Sequence, residues 1–309
     1  MRFSTSMPGV CHYPPITQEW EKSMGAEDFQ RVARTADELG FDSIAVPEHI
    51  VLPSDLVPLM GAFWTHAMTV MSFIAGATSR ITVDSCVIVL PYHHPVVMAK
   101  AVSTLDRLSG GRVRLSIGVG HAEHEFGVLG VPFHERGRMT DEYLDAMVEL
   151  WTSDEPKFHG RYVEFEGIAF EPKPVQSPHP PIWVGGNSRA AVRRAARHDG
   201  WFPWLITAEE LPPWLDYLRS LPEFDARTRP FDVCLPVSTL AVDEEHRPLN
   251  DTGGRVGAPT STGAVIDAIG RLRDIGVTCT SVPMPPARSL AEHLEGLHRV
   301  AEEVLPAFR

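Results

Sequence analysis

The feature that most constrains the fold of this chain is a regular alternation of short apolar strands with amphipathic helices. Eight strand–helix units follow one another without a linker-like segment between them. The predicted strands are residues 2–6, 42–46, 81–90, 112–118, 182–185, 200–204, 233–242 and 277–282. Strands that are apolar along their whole length are typical of parallel sheets covered by helices. The pattern therefore predicts an α/β fold, a (β/α)8 TIM barrel, formed by a single domain over residues 1–309.

Two insertions extend the barrel pattern. One follows strand 4 (residues 121–136), and the other, a hairpin-like excursion over 157–170, lies between helix 4 (137–151) and strand 5. A doubly wound open sheet is the alternative, but it usually has fewer units and a domain break. In a TIM barrel the functional residues lie at the carboxyl ends of the strands. The long connections 47–61 and 121–136 follow strands 2 and 4, so both are expected at that end of the barrel.

Composition excludes several classes of partner. The net charge of −12 argues against binding to nucleic acid or to an anionic membrane. The sequence has no apolar stretch of membrane-spanning length and no secretion signal after Met1. Its four cysteines are far apart and form no C-x-x-C motif, which indicates reduced thiols. We therefore expect a cytoplasmic protein that acts on a small molecule.

A glycine pair between strand 5 and its helix is the clearest binding motif. Gly185 and Gly186 end the strand, and Asn187 or Ser188 opens the helix. Backbone N–H groups at a helix start lack partners within the helix, and the helix dipole adds partial positive charge there. Glycine removes the Cβ atoms that would hold a ligand away from these donors. The turn therefore predicts a phosphate-binding site, with a plain strand-to-helix turn as the alternative.

Two histidines follow strands at the same end of the barrel. Glu48 and His49 come directly after strand 2, and His121 follows Gly118 and Gly120 at the end of strand 4. Histidine changes charge near neutral pH and suits proton transfer or contact with a polar ring. The glycines are expected to permit close approach of a flat ligand. We predict His49 and His121 as the catalytic residues.

Two other histidine clusters suggest a metal but lack a suitable ligand set. His93 and His94 follow strand 3, yet the next carboxylate, Asp106, should lie at the far end of the following helix. Residues 121–125 have an H-x-x-H spacing with two carboxylates, but not the zinc-protease signature H-E-x-x-H. No metal site is predicted.

Several of these segments together resemble the luciferase-like monooxygenase superfamily, and within it the oxidoreductases that depend on the deazaflavin coenzyme F420. The matching segments are 40–49, 89–96, 99–100 with 105–112, 118–120 with 125–126, 136–138 with 141–142, and 180–194. Their order and spacing cover most of residues 1–205. As a set they are specific for the superfamily and less specific for the flavin used, so FMN is the alternative cofactor.

The resemblance implies that the deazaflavin ring lies at the carboxyl end of the barrel with His49 beside it. It also implies a bulge in strand 3 with a non-proline cis peptide under the ring, at Val87–Ile88 or alternatively at Cys86–Val87. Val87 and Ile88 would then support the ring, Glu48, Gly118 and Gly120 would line the cofactor site, and the turn at Gly185–Ser188 would hold the phosphate. Related F420 dehydrogenases often carry a proton-transferring glutamate where this chain has His121.

These observations predict an F420-dependent oxidoreductase that transfers a hydride between the coenzyme and a carbonyl, enone or alcohol. The alternative is an FMN-dependent luciferase-like monooxygenase that uses reduced flavin and O2. A lyase or isomerase without a redox cofactor would need a lysine or a carboxylate cluster at strand ends, and the four lysines lie elsewhere. The resemblance also implies a homodimer, for which the apolar second and third helices offer a surface.

Overall fold

The computed structural model describes residues 1–204, 206–236, 261–282, 284 and 286–309. Its strands are β1 (Arg2–Ser6), β2 (Ser43–Val46), β3 (Thr82–Ser85), β4 (Ile88–Val89), β5 (Val113–Gly118), β6 (Phe158–His159), β7 (Glu164–Phe165), β8 (Ile182–Gly185), β9 (Gly200–Phe202), β10 (Asp232–Val233) and β11 (Cys279–Ser281). Its α-helices are α1 (Ala26–Leu39), α2 (Val57–Met60), α3 (Ala67–Ala77), α4 (Pro95–Ser109), α5 (Glu123–Leu129), α6 (Arg136–Thr152), α7 (Arg189–Ala196), α8 (Leu211–Arg219), α9 (Pro222–Asp225), α10 (Thr262–Asp274) and α11 (Leu290–Glu303).

The main sheet is a parallel barrel. Its strand order is β11-β1-β2-β3-β5-β8-β9-β10, and β4 pairs with β5 above β3. An isolated parallel bridge between Cys234 and Cys279 joins the β10 and β11 edges. When β3 and β4 are counted as one broken strand, the described residues form eight parallel strands around the barrel. The predicted (β/α)8 fold is confirmed, whereas its assignment to one domain over residues 1–309 stays a prediction.

Local sequence explains where the helices begin and end. Helix α1 begins after Gly25, whose N–H donates to the side chain of Asp28 (2.9 Å). It ends at Gly40, and α4 ends at Gly110, both in the left-handed conformation with φ of 80° and 70°. Glycine adopts this conformation without steric cost, so each helix stops there and the chain turns into the next strand.

The core has two layers, because successive residues of each strand point to opposite faces. The larger layer lies between the strands and the surrounding helices. A smaller cluster of Trp183, Phe202, Cys234 and Cys279 fills the barrel interior. There the guanidinium of Arg114 stacks 3.8 Å from the centre of the Trp183 ring. The interior is therefore a packed core and leaves the carboxyl ends of the strands as the place for a site.

The third predicted strand is broken in the structure. It forms β3 and β4, and the non-proline cis peptide between them joins Cys86 and Val87. The first choice of Val87–Ile88 was therefore wrong, and the alternative position is correct. A Cβ atom at Gly118 would lie 2.8 Å from the Val87 side chain, and one at Gly185 3.1 Å from it. Val87 thus occupies space left by two glycines on the neighbouring strands, which local patterning does not reveal.

Three further predictions can be compared with the structure. The apolar pattern over residues 64–78 predicts a helix there, but the helix begins at Ala67, because residues 63–65 pair instead with the loop after β1. The predicted insertion between helix 4 and strand 5 is an antiparallel hairpin of β6 and β7. The seventh strand, expected over 233–242, is β10, and its predicted part beyond residue 236 lies outside the described residues. Within the described part of the chain, the helices are all too short or too polar to cross a membrane.

Candidate active site

His49 lies three residues beyond β2, at the carboxyl end of the barrel. Its imidazole Nδ1 is 3.0 Å from Oε2 of Glu125, and its side chain is only 10% exposed. The ring of Trp64 meets it edge-on, with 4.6 Å between the ring centres. A nearly buried histidine is therefore held in one orientation by a carboxylate and an aromatic ring.

Glu125, near the start of α5, is the centre of this network. Its carboxylate accepts hydrogen bonds from the backbone N–H groups of Ile50 and Val51 and from the Tyr92 hydroxyl (2.8 Å). Burial alone would raise the pKa of Glu125, but the hydrogen bonds from His49, the two backbone groups and Tyr92 outweigh it, so the pKa is lowered. The carboxylate is therefore ionised at neutral pH and only accepts. It follows that Nδ1 of His49 carries the proton.

Tyr92 supplies the fourth hydrogen bond. Burial, together with the hydrogen bond to Glu125, raises the pKa of Tyr92 far above its usual value, so the hydroxyl remains a donor. Its ring packs against Phe126, with 4.7 Å between ring centres. Tyr92 follows β4, Ile50 follows β2, and Glu125 follows β5. One buried carboxylate therefore joins three loops at the barrel mouth.

His121 is close to His49. The two rings are perpendicular, with 5.8 Å between their centres. His121 is exposed at the mouth. Loss of solvation is the largest cause that lowers the pKa of His121, followed by the nearby His49, while Glu125 opposes both. The structure thus brings the two predicted catalytic histidines together, and His121 is neutral at neutral pH.

The side chain of Glu48 is bound to the loop after β4. Its buried carboxylate accepts from the N–H of Val89 (3.0 Å) and contacts Nε2 of His93 (3.0 Å). This geometry favours a role in holding the loop after β4 instead of the expected contact with a cofactor. The imidazole of His93 is held by the Glu48 carboxylate. Within the described residues, no group of three or more His, Cys, Asp or Glu side chains is arranged to bind a metal.

The bulge between β3 and β4 changes the expectation for the glycines. Gly118 accommodates Val87, and a Cβ atom at Gly120 would lie 2.6 Å from the Val89 side chain and 2.8 Å from Phe126. The Cβ positions of both glycines are therefore filled by the protein's own side chains, and their contact with a flat cofactor stays a prediction. Ile88 is fully buried in the core, whereas Val87 is half-buried. Of the two predicted ring supports, only Val87 retains accessible surface.

The turn between β8 and α7 has the predicted strand, glycine pair and capped helix. Gly186 has a φ of 123°, and its N–H donates to the carbonyl of Phe202 (3.0 Å). Ser188 is the helix cap and accepts from the N–H of Ala191 (3.1 Å). The side-chain amide of Asn187 donates to the carbonyl of Trp204 (3.0 Å). Asn187 and Ser188 are exposed, so the positive end of α7 is open to a ligand.

Sequence reasoning did not identify Glu125 and Tyr92 as partners of His49, nor His93 as the partner of Glu48. In the sequence analysis, Glu125 is a possible metal ligand and part of a segment that resembles the family. One signal was available, because Glu125 follows β5 and so belongs to a connection at the carboxyl end of the barrel. The contact between Glu125 and His49 joins residues 76 positions apart, and no local pattern indicates it.

The comparisons with known proteins agree with this architecture. The family model for luciferase-like monooxygenases matches residues 1–249. The FMNH(2)-dependent dimethylsulfone monooxygenase of Pseudomonas putida is 34% identical over 207 residues, which cover 65% of this chain and 55% of that protein. The monooxygenase RslO1 from Streptomyces bottropensis has a similar structure, with a TM-score of 0.79 and 20% identity over the whole of both chains.

A coenzyme F420-dependent tetrahydromethanopterin reductase from Methanopyrus kandleri also has this fold, with a TM-score of 0.76. It is 16% identical, and the match covers 100% of this chain and 99% of that one. At such identities the two structural matches show the fold alone. The family model, in contrast, spans most of the sequence. The chain belongs to the luciferase-like monooxygenase family.

Proposed function

We propose that this protein is an oxidoreductase that transfers a hydride between coenzyme F420 and a small organic substrate, namely a carbonyl, an enone or an alcohol. The observation that carries the proposal is the joint position of His49 and His121 at the barrel mouth, where their ring centres are 5.8 Å apart. When bound, the deazaflavin supplies the hydride chemistry, and the protein has to supply binding, orientation and a proton. The residues at this end of the barrel suit each of these tasks.

The anionic part of the coenzyme has a suitable place at the turn of Gly185, Gly186, Asn187 and Ser188. The first backbone N–H groups of α7 and the helix dipole favour a phosphate at this exposed position. Val87 is the accessible side chain of the bulge and would lie against the ring. The donors and the accessible apolar surface fit a phosphorylated, flat cofactor.

Proton transfer falls to the two histidines. The ionised Glu125 keeps the proton of His49 on Nδ1, so Nε2 is the nitrogen that remains to accept a proton or, once protonated, to donate one. Its neighbour His121 has a lowered pKa, because loss of solvation and the nearby His49 disfavour its charged form. His121 can therefore accept a hydrogen bond from substrate or relay a proton to His49, in the position where related F420 dehydrogenases often have a glutamate.

Titration with F420 and with FMN, each followed by fluorescence, tests the proposal. We expect F420 to bind more tightly, and the reduced form to convert members of a carbonyl and enone panel. The Ser188→Asp variant retains a good helix cap but puts negative charge beside the phosphate site, so binding should weaken at least tenfold, about 1.4 kcal/mol. Ser261 caps α10 in the same way, accepting from the N–H of Ala264 (3.2 Å), so Ser261→Asp is the matched control. Equal effects of the two variants would contradict the phosphate assignment.

The second candidate is an FMN-dependent monooxygenase that uses reduced flavin and O2. It is favoured by the relative from Pseudomonas putida, whose name gives FMNH(2) as its cofactor. The same turn would hold the phosphate of FMN. Tighter binding of FMN than of F420, with O2 consumption in the presence of a flavin reductase, would replace the first candidate by the second.

A homodimer in the cytoplasm is part of the same proposal. Phe73 on α3 and Val97 and Leu108 on α4 are large apolar side chains with 39%, 66% and 78% of their surface exposed. Apolar side chains on two adjacent helices favour an interface on this face. A monomer by light scattering at micromolar concentration would contradict this part of the proposal.

A further inference from the structure

Two loops at the barrel mouth are joined by a short antiparallel pairing, which we term the loop clasp (residues 10–12 and 63–65). The N–H of His12 donates to the carbonyl of Phe63, and the N–H of Thr65 donates to the carbonyl of Val10, both at 2.9 Å. Cys11 and Trp64 lie opposite each other between these bonds. In such a non-hydrogen-bonded pair the two side chains lie on the same face, with Cα atoms about 4.5 Å apart.

The two faces of the loop clasp have different surroundings. Trp64 meets the ring of His49 at 4.6 Å between centres, so the face of Cys11 and Trp64 is turned towards the candidate active site. The alternate residues His12 and Phe63 lie on the opposite face, where their rings stack with centres 4.1 Å apart. The loop clasp therefore separates an inner pair of side chains from an outer pair.

Gly61 makes this approach of the two loops possible. Its φ is 71°, and a Cβ atom there would lie 1.9 Å from the carbonyl oxygen of His12. A backbone oxygen has no room to move aside from such a contact, so the position requires glycine. The indole N–H of Trp64 donates back to the carbonyl of Met60 (3.3 Å), which leaves the ring as an apolar surface.

Cys11 completes that surface. Burial, the largest cause, raises the pKa of the Cys11 thiol to about 11, so the group is protonated at neutral pH. A protonated thiol behaves as a small apolar group with a weak donor. The inner face of the loop clasp therefore presents an indole ring, which contacts His49, and beside it a neutral thiol.

We propose that Cys11 and Trp64 form the wall of the substrate pocket beside His49 and select substrates whose group next to the reacting carbon is uncharged and apolar. This inference rests on the proposed function, because it takes His49 as the residue beside the reacting carbon. The substrate class is then a neutral ketone, enone or secondary alcohol with an apolar substituent. The size of that substituent is limited by the side chain at position 11.

The test compares substitutions on the two faces of the loop clasp. Cys11→Leu adds bulk to the inner face, and His12→Leu changes the outer face of the same strand. With reduced F420 and a ketone series from acetone to cyclohexanone and acetophenone, we expect Cys11→Leu to shift the ratio of kcat/KM towards acetone about tenfold or more. His12→Leu should leave the ratio within about twofold. Equal ratios in the two variants would overturn the proposal.

Thiol labelling provides a readout that does not need turnover. Wild-type protein is treated with N-ethylmaleimide, with and without 100 mM cyclohexanone, and labelling of Cys11 is followed by mass spectrometry of its peptide. Cyclohexanone should slow labelling of Cys11 at least threefold, while the rate at which N-ethylmaleimide labels free N-acetylcysteine, with and without cyclohexanone, is the reference. Unchanged labelling of Cys11 would also overturn the proposal.

The labelling experiment separates this proposal from the proposed function. If neither F420 nor FMN binds, the proposed function fails, yet protection of Cys11 by cyclohexanone still supports the pocket wall. Should Cys11→Leu fail to fold, as judged by urea unfolding, Cys11→Val replaces it in the ketone series with the same expected direction. If the ratio of kcat/KM between acetone and the larger ketones is then the same in Cys11→Val as in the wild type, the proposed pocket wall is contradicted.

Discussion

Replacing Glu125 with glutamine tests the network around His49 most directly. The carboxylate accepts four hydrogen bonds, from the backbone of Ile50 and Val51 on Oε1 and from His49 and Tyr92 on Oε2. Glutamine has almost the same shape but replaces one acceptor oxygen by a donor NH2 group. If the amide oxygen keeps the two backbone donors, His49 and Tyr92 face another donor.

The magnitude follows from the hydrogen bonds that are lost. A hydrogen bond to a charged group contributes about 1.5–3 kcal/mol, so losing two costs roughly 3–6 kcal/mol. The Tyr92 hydroxyl can rotate to accept, and His49 can move its proton to Nε2 and accept from the amide at Nδ1. Each change recovers a neutral hydrogen bond of about 1 kcal/mol. We therefore expect Glu125→Gln to lower the free energy of unfolding by about 1–4 kcal/mol.

Two measurements check this prediction. Urea unfolding gives the free energy, and ¹⁵N NMR of the histidine rings reports the tautomer of His49, which should change from Nδ1–H to Nε2–H. Glu48→Gln is the matched control, since it removes an equally buried carboxylate that contacts His93 and not His49. A loss below about 1 kcal/mol together with an unchanged tautomer would refute the reasoning.

The same carboxylate predicts a dependence of stability on pH. Because the pKa of Glu125 is lowered in the folded protein, its contribution is fully present above the unfolded value of about 4.3 and is lost as the pH falls through the lower folded pKa. The free energy of unfolding should therefore decrease more steeply below pH 4.3 in the wild type than in Glu125→Gln. Parallel curves for the two proteins would contradict this assignment.

The remaining predictions concern the histidine, the bulge and the dimer. His49→Ala should reduce turnover by about 10²–10⁴-fold, the usual contribution of general acid–base catalysis, with cofactor binding retained; normal turnover would remove His49 from the catalytic residues. Gly118→Ala should destabilise the fold by about 1–3 kcal/mol in urea, since its Cβ would lie 2.8 Å from Val87. Gly270→Ala has no atom within 4 Å of the new Cβ and should not destabilise, so an equal loss in both would refute the packing argument. Val97→Glu should shift the protein from dimer to monomer in light scattering. A dimer of unchanged stability would exclude the exposed face of α3 and α4 as the dimer interface.

The fold was accessible from the sequence because the forces that define its elements are local. The alternation of apolar strands and amphipathic helices predicted the barrel. The amphipathic pattern over residues 26–39, followed by Gly40, likewise predicts a helix with the ends that α1 has. Its C-terminus was readable because Gly40 can adopt a positive φ at the end of a helix. The glycine turn and a helix cap at Asn187 or Ser188 were likewise evident, because each depends on residues within a few positions of one another, and the structure shows Ser188 as the cap.

The candidate site could be predicted only in part from the sequence, because its contacts join residues that are far apart along the chain. The position of a residue directly after a strand indicated that His49 and His121 lie at the barrel mouth. Nothing local indicated that Glu125 holds His49, since the two are 76 residues apart and meet only when β2 and β5 take their places in the barrel. The same applies to Cys11 and Trp64, whose pairing depends on two loops that follow different strands.

Sequence alone thus determined the barrel, the end of it at which His49 and His121 lie, and the capped helix start after the glycine pair. Tertiary structure decided the position of the cis peptide, the use of Gly118 for the Val87 side chain, and the tautomer of His49. The physical reason is the separation along the chain over which each interaction acts. Periodicity and helix capping act over a few residues, whereas packing and buried hydrogen bonds join residues that only the closed barrel brings into contact.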